Sequence, residues 1–162
     1  MKKIILILIS IVIVSCNDND DEPIVVPFVP VTITSTMIGK RNDKAPTEGI
    51  SQQNFVINDE TNWTNIKNQM DAPYIAIGLG NYYTENNFEE TTIDFANFTV
   101  IAVFDQVHGN GGHSIDITNI TEYENNIVVT VENLLTGNGS SVVTQPYHIV
   151  KIPRNPKPIV FE

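Results

Sequence analysis

Residues 114–121 read Ser-Ile-Asp-Ile-Thr-Asn-Ile-Thr, and residues 127–131 read Ile-Val-Val-Thr-Val. In the first stretch, isoleucine recurs among polar residues at every second or third position, which is typical of a β-strand with one buried face. The second stretch consists of β-branched residues, which favour strands. Because Asn125 and Asn126 between them are turn-forming residues, the two stretches predict a β-hairpin.

Further strands are predicted on both sides of this hairpin. Apolar or alternating runs occupy residues 31–36, 54–58, 97–104, 142–143 and 147–152. Short polar links separate many of these runs, and antiparallel strands need no longer connection. We therefore predict a mainly β (α+β) fold, an antiparallel β-sheet or sandwich-like domain with one packed helix and about five to seven strands.

The one predicted helix begins near residue 59. Asn58 or Asp59 can cap its first turn, and early acidic residues suit the helix dipole. A single apolar face, which we expect to pack in the core, is formed by residues at spacings of three and four: Trp63, Ile66 and Met70. The helix is expected to end near residues 71–73, since a proline restricts the residue before it. Residues 81–87 are polar and are predicted to form a loop or irregular turn.

The first 15 residues have the layout of a secretory signal peptide. Lys2 and Lys3 precede an apolar run over residues 4–14, and small Ser15 comes just before Cys16, the only cysteine of the chain. A transmembrane helix would need about 20 apolar residues, more than this run contains. The segment is similar to the lipobox of bacterial lipoproteins. That likeness implies cleavage before Cys16, lipidation of Cys16 and anchoring in the cell envelope, at the outer membrane or exposed on the cell surface.

Residues 16–30 are predicted to form a tether between the lipid anchor and a single domain over residues 31–162. An acidic run over residues 17–22 is followed by residues that favour an extended chain: Pro23, Pro27 and Pro30. Two interpretations of the acidic run stay open. It is either a plain solvated linker or a surface-export signal of the kind that some bacterial lipoproteins carry.

The charge of the chain excludes one class of partner. The net charge is −10, and loss of residues 1–15 removes two of nine basic residues and none of 19 acidic residues, which leaves −12. A phosphate backbone would repel such a chain, so we predict no nucleic-acid binding. The same charge argues against electrostatic docking on anionic lipid, and membrane attachment is therefore assigned to the lipid anchor only.

The candidate partner-binding site is a glycine-rich loop that follows the apolar run over residues 97–104. It reads His108-Gly109-Asn110-Gly111-Gly112-His113. Glycine permits tight turns and close backbone approach, so this loop could bind an anion or receive a segment of a partner protein. It is not a phosphate-binding P-loop, because the Lys-Ser/Thr pair is absent. Tyr82 and Tyr83 are its possible neighbours, since interfaces favour tyrosine over most charged residues.

A metal site is the first chemical alternative for this loop. His108 and His113 could bind zinc or copper together with Asp105 or Asp116. A structural zinc site needs four ligands, so His148 or a further carboxylate would have to join them. Two histidines at the mouth of a hairpin explain the pattern without a metal, and we predict no metal site and no cofactor.

A hydrolase is the second chemical alternative. A Ser-His-Asp set could be assembled from Ser114, His113 and Asp116, but no Gly-x-Ser-x-Gly motif is present. Neighbouring residues of one strand also point to opposite faces of the sheet. Cysteine catalysis is excluded because Cys16 is the only cysteine. We predict that the protein is not an enzyme.

Four segments carry a family resemblance. They are residues 100–104 (Val-Ile-Ala-Val-Phe), 111–115 (Gly-Gly-His-Ser-Ile), 127–131, and 144–153 (Thr-Gln-Pro-Tyr-His-Ile-Val-Lys-Ile-Pro). Together they resemble the C-terminal domain family of the protease complex subunit PrcB, over roughly residues 31–153. The resemblance implies a non-catalytic lipoprotein that binds and stabilises a secreted protease. Asn110 and His113 stand where the family has Thr and Tyr around Gly-Gly, so contacts with a partner would differ.

Two other binding functions stay open. One is a surface lipoprotein that binds a small ligand, peptide, glycan or metal, which an apolar pocket with a few polar groups would favour. The other is a protease inhibitor-like β domain, because the Gly-Gly loop is similar to a loop of chagasin-like cysteine protease inhibitors. The Arg-Pro-Trp loop of those inhibitors has no counterpart in this chain.

Overall fold

The computed structural model describes residues 27–41 and 50–162. Cys16, the predicted signal peptide and most of the predicted tether lie outside the described residues. The strands are β1 (Val31–Thr32), β2 (Thr36–Arg41), β3 (Gln53–Ile57), β4 (Phe98–Phe104), β5 (Asp116–Glu122), β6 (Ile127–Glu132), β7 (Tyr147–Pro153) and β8 (Ile159–Phe161). The helices are α1 (Glu60–Ala76) and α2 (Tyr82–Asn87).

The strands form two four-stranded sheets, which confirms the predicted mainly β fold. The outer sheet has the order β1-β5-β6-β8, and the central sheet has the order β2-β7-β4-β3. The predicted hairpin forms between β5 and β6, with Thr121 opposite Val128. Eight strands occur in the described residues, more than predicted. Residues 31–36 contribute to two strands, β1 and β2, where one was predicted. Strand β8, which pairs parallel to β6, was not predicted.

Strand β4 contributes side chains to two cores. Val100, Ala102 and Phe104 belong to the core under the helices, whereas Ile101 belongs to the core between the sheets, as alternation along a strand requires. The helices, the central sheet and the outer sheet therefore form three layers. The core between the sheets contains Ile101, Ile120, Ile127, Val129, Val150 and Ile152.

Helix α1 begins as predicted and ends later than predicted. Asp59 caps it, since its Oδ1 accepts a hydrogen bond from Asn62 N at 2.8 Å. The predicted apolar face is buried: Trp63, Ile66 and Met70 are at most 3% exposed. The prediction of an end near residues 71–73 was wrong, because the helix continues through Pro73 to Ala76. Pro73 lacks an N–H donor but is followed by less than one turn, and Tyr74 holds that turn by packing against the core.

The prediction of a loop over residues 81–87 was wrong, because Tyr82–Asn87 form the short helix α2. Its first turn is capped from outside by Asp71, a residue of α1 that is 1% exposed. Asp71 accepts hydrogen bonds from Tyr83 N at 2.9 Å, Thr84 N at 3.0 Å and Thr84 Oγ1 at 2.6 Å. These bonds satisfy amide groups that a helix start leaves open. No helix in the described residues is long and apolar enough to cross a membrane.

The two ends of the sheets carry different features. We call the end at Phe104 and Tyr147 the distal end. Helix α1 begins after β3 and its 17 residues extend about 26 Å, so it runs back to the distal end, where Tyr83 contacts Tyr147 with ring centroids 6.4 Å apart. The chain enters β1 at the opposite, proximal end, where Val31 lies opposite Glu122.

Candidate functional site

Beyond the distal end, two loops pack against each other. We call residues 108–113 and 136–144 the loop pair. Backbone hydrogen bonds join them at His108 N to Thr144 O (2.8 Å) and at Thr144 N to His108 O (3.0 Å). Further along, Gly111 N donates to Ser140 O at 3.1 Å. The loop that was predicted as the partner-binding surface is therefore held in a fixed conformation by a second loop.

Glycines allow the two loops to approach this closely. Gly137 has a φ of +103°, and a Cβ atom at this position would lie 2.4 Å from Nε2 of His113. Gly112 has a φ of +77°, and a Cβ atom there would lie 2.5 Å from Nδ2 of Asn138. Both positions combine a left-handed backbone with a distance that a side chain would not permit.

The two histidines of the loop stack on each other. Their ring centroids are 3.6 Å apart, and the ring planes differ by 7°. His108 Nε2 lies 2.9 Å from Asp105 Oδ2, and His113 Nε2 lies 3.0 Å from Asn110 Oδ1. In residues 27–41 and 50–162, no group of three or more His, Cys, Asp or Glu side chains is arranged to hold a metal ion.

A partly buried polar network supports the loop pair. The network has one half around Asp105 and another around Ser114. Asn133 connects these halves, because its Nδ2 donates both to Asp105 Oδ2 (2.9 Å) and to Ser114 O (2.8 Å). Gln145 Nε2 donates to Asp105 O at 2.8 Å, and Gln145 Oε1 accepts from Ile50 N at 2.9 Å. We call these residues, with the two charged partners described next, the distal network: Lys40, Asp105, Ser114, Asp116, Asn133 and Gln145.

Asp116 is the centre of the second half of the distal network. It forms an ion pair with Lys40 across the two sheets and accepts a hydrogen bond from Ser114 Oγ at 2.5 Å. Burial acts to raise the pKa of the Asp116 carboxyl, but the hydrogen bonds from Lys40, Ser114 and Leu134 N outweigh it and hold the pKa below its ordinary value. Ser114 thus bonds to Asp116 while His113 bonds to Asn110, so the three residues of the hydrolase alternative do not form a relay.

His148 joins the central sheet to the outer sheet beside this ion pair. Its Nδ1 accepts a hydrogen bond from Ile117 N at 3.0 Å. Burial and the positive charge of Lys40 lower the pKa of the His148 imidazole to about 4, against the opposing effect of the Asp116 carboxylate. The ring is therefore neutral at physiological pH and acts as a hydrogen-bond acceptor.

Exposed aliphatic side chains lie in the loop pair and next to it. We call them the loop rim: Val107, Leu134, Leu135, Val142 and Val143 are 37% to 62% exposed. A second exposed apolar group lies where α1 ends and α2 begins, and we call it the helix tip. Its members are 47% to 71% exposed: Ile75, Ile77, Leu79 and Tyr82. Tyr82 therefore remains available as a contact residue. The prediction for Tyr83 was wrong, because it is 3% exposed and packs on Tyr147.

The loop itself is less exposed than its sequence indicates. Gly109 is exposed and Gly111 is buried, whereas the other four residues are half-buried. The sequence pattern identified the loop but missed its support by Asn133 and Gln145, which lie 19 or more residues from their partners. The prediction of a strand at residues 142–143 was wrong, because they are exposed residues of the loop before β7. This aliphatic run was the available sequence signal for the loop rim. Comparisons of the chain with protein-family models, with curated proteins and with solved structures found no match.

Proposed function

We propose that this protein is a non-catalytic, lipid-anchored protein of the cell envelope that binds a protein partner at its distal end. The observation that carries the proposal is the loop rim, in which five aliphatic side chains are exposed in and next to a loop pair of fixed conformation. Backbone hydrogen bonds of the adjoining residues, His108 with Thr144 and Ser114 with Leu135, bring these three short segments together, and grouped exposed apolar side chains are typical of interaction sites. A loop that is already ordered also loses little conformational entropy when it binds.

The direction of the binding surface fits an anchored protein. The chain enters the domain at the proximal end, beside Glu122, whereas the loop rim lies beyond the distal end. A lipid on Cys16 would therefore hold the proximal end towards the membrane and leave the loop rim facing away from it. This arrangement suits capture of a partner in the periplasm or outside the cell.

We assign the partner to the class of secreted proteases. The support is the likeness of residues 144–153 to the closing strand of the PrcB C-terminal domain family. In the structure this segment comprises Thr144, which pairs with His108, and strand β7. The most family-like segment is thus the one that supports the loop, which makes this loop the natural place for the partner.

The binding proposal is tested by site-specific photocrosslinking in cells. A photoreactive residue replaces Leu134, which is 62% exposed in the loop rim. A matched control replaces Thr118, an exposed residue of β5. We expect one crosslinked protein at Leu134 and none at Thr118, and loss of the crosslink in Val143→Asp. Equal yields at the two positions, or none at either, would contradict a partner at the loop rim.

The anchor has a separate test. Cys16→Ala is expected to move the protein from the membrane fraction to the soluble fraction and to abolish incorporation of labelled palmitate. Ser15→Ala, which keeps a small residue before the cysteine, is the control and should leave both unchanged. Labelling that persists without Cys16 would rule out this attachment.

A groove at the proximal end favours a second function, the binding of a small ligand. It has a volume of about 540 Å³ and is lined by residues that include Phe28, Tyr123, Glu124 and Asn126. Aromatic rings with nearby carboxylate and carboxamide groups suit a saccharide or a short peptide. Calorimetric titration with disaccharides and tripeptides tests this function, and Tyr123→Ala should abolish any binding while Leu134→Ala keeps it.

A further inference from the structure

The loop pair contains two copies of one reactive dipeptide, Asn110-Gly111 and Asn138-Gly139. In an Asn-Gly sequence the backbone nitrogen of glycine can attack the side-chain Cγ of asparagine, because glycine has no Cβ to obstruct the approach. The fold places the two copies in contact but in different environments. Their comparison identifies which one can react.

Asn138 lies in an open turn. Asn138 and Gly139 are both exposed, and no atom outside residues 138–140 lies within 4 Å of the position that a Cβ would take at Gly139. Ser140 N donates a hydrogen bond to Asn138 Oδ1 at 3.0 Å. This bond withdraws electrons from the side-chain carbonyl and makes Cγ a better electrophile.

Asn110 is restrained at the two nitrogen atoms that the same reaction would use, the leaving Nδ2 and the attacking N of Gly111. Its Nδ2 donates to Asn138 O at 2.9 Å, and its Oδ1 lies 3.0 Å from His113 Nε2. The attacking atom, Gly111 N, donates to Ser140 O at 3.1 Å and belongs to a buried residue. Ring closure at Asn110 would have to break the hydrogen bonds of the leaving Nδ2 and of the attacking Gly111 N.

We propose that Asn138 is a site of spontaneous deamidation that modifies the loop pair. Gly139 N loses its proton to water or hydroxide and forms a bond to Asn138 Cγ. The bond between Cγ and Nδ2 breaks, and the nitrogen leaves as ammonia after it takes up a proton. Water then adds to either carbonyl of the five-membered succinimide and opens it, which gives aspartate or isoaspartate.

The modification acts on contacts between the two loops. Asn138 N donates to Gly111 O at 2.8 Å, and Asn138 O accepts from Asn110 Nδ2. Isoaspartate adds one methylene to the backbone between these two bonded groups, so both bonds cannot be kept. Aspartate places a carboxylate against Gly112, where the amide of Asn138 now lies, whereas isoaspartate carries its free carboxylate on the former backbone carbonyl carbon. Both products add one negative charge. The reaction thus converts a fixed loop pair into a looser and more acidic one.

Peptide mapping by mass spectrometry tests the proposal. The purified full chain is incubated at mildly alkaline pH, and the amide-to-acid mass gain is followed at both asparagines. We expect conversion at Asn138 at least about tenfold faster than at Asn110, because even one hydrogen bond of ordinary strength slows a reaction by about that factor. Isoaspartate is confirmed by enzymatic methylation of its carboxyl group.

A control variant and a free peptide provide the reference rates for this experiment. Gly139→Ala leaves Asn138 in place and fits without a clash, so it should slow conversion several-fold and leave the unfolding curve unchanged. A free peptide with the sequence of residues 136–141 gives the rate without a fold. Conversion at Asn138 that is no faster than at Asn110, or more than about tenfold slower than in the peptide, would overturn the proposal.

Discussion

The core under the helices and the distal network are stabilised by different interactions. In the core, Trp63, Val100 and Ile149 are fully buried and pack mainly through apolar surface. In the distal network, Asp116 and Gln145 are also buried, but each is satisfied by directed hydrogen bonds. Apolar burial adds up over area and tolerates small shifts, whereas a buried polar group is costly as soon as one partner is lost. The first region therefore provides most of the stability, and the second determines how the two sheets and the loops are aligned.

The largest expected effect is in the core. Trp63→Ala removes a fully buried ring that stacks on Phe88, with centroids 5.7 Å apart, and whose Nε1 donates to Thr91 O at 2.9 Å. The cavity left behind should lower the free energy of unfolding by about 3–5 kcal/mol, measured by urea denaturation. Ile77→Ala is the control, since Ile77 is 71% exposed, and should change it by less than about 1 kcal/mol. A similar decrease in the free energy of unfolding for both variants would mean that α1 does not pack against the core as described.

The same difference explains what the sequence could predict. The apolar face of α1 and the alternation of β5 follow from side chains a few residues apart, so periodicity revealed them. The cap of α2 comes from Asp71, 12 and 13 residues before the amides it binds. The bond between Gln145 and Ile50 spans 95 residues. Contacts between residues so far apart in the sequence leave no local pattern. For this reason the sequence predicted a loop at residues 108–113 but not the residues that support it.

The next effect concerns His148 and depends on pH. Its imidazole has a pKa of about 4 in the fold, against 6.5 as the ordinary value. Between these values the unfolded chain binds the proton more strongly, so stability is fully present above pH 6.5 and falls as the pH decreases to about 4. The loss attributable to this group is about 3 kcal/mol, and urea denaturation at a series of pH values measures it.

His148→Asn separates this effect from acid unfolding in general. Asparagine Oδ1 can accept the hydrogen bond from Ile117 N but does not titrate, so the variant should lose most of the pH dependence between about 6.5 and 4. The Asp116 carboxyl, whose pKa is below 3.8 in the fold, loses its contribution only at lower pH and serves as an internal reference. An unchanged slope between pH 6.5 and 4 in His148→Asn would assign the dependence to other groups.

The smallest expected effect tests the contact between the two loops. Gly137→Ala places a Cβ 2.4 Å from His113 Nε2 at a φ of +103°, and the left-handed backbone with the clash should cost about 2 kcal/mol. Gly139→Ala, two residues away and in open space, should cost less than about 0.5 kcal/mol. Because the loops lie outside both cores, hydrogen exchange should rise in residues 108–113 in Gly137→Ala and remain unchanged in the core strand β4. Exchange that rises equally in β4 would mean that the loop pair and the core unfold as one unit, and the separation between the two regions would then be lost.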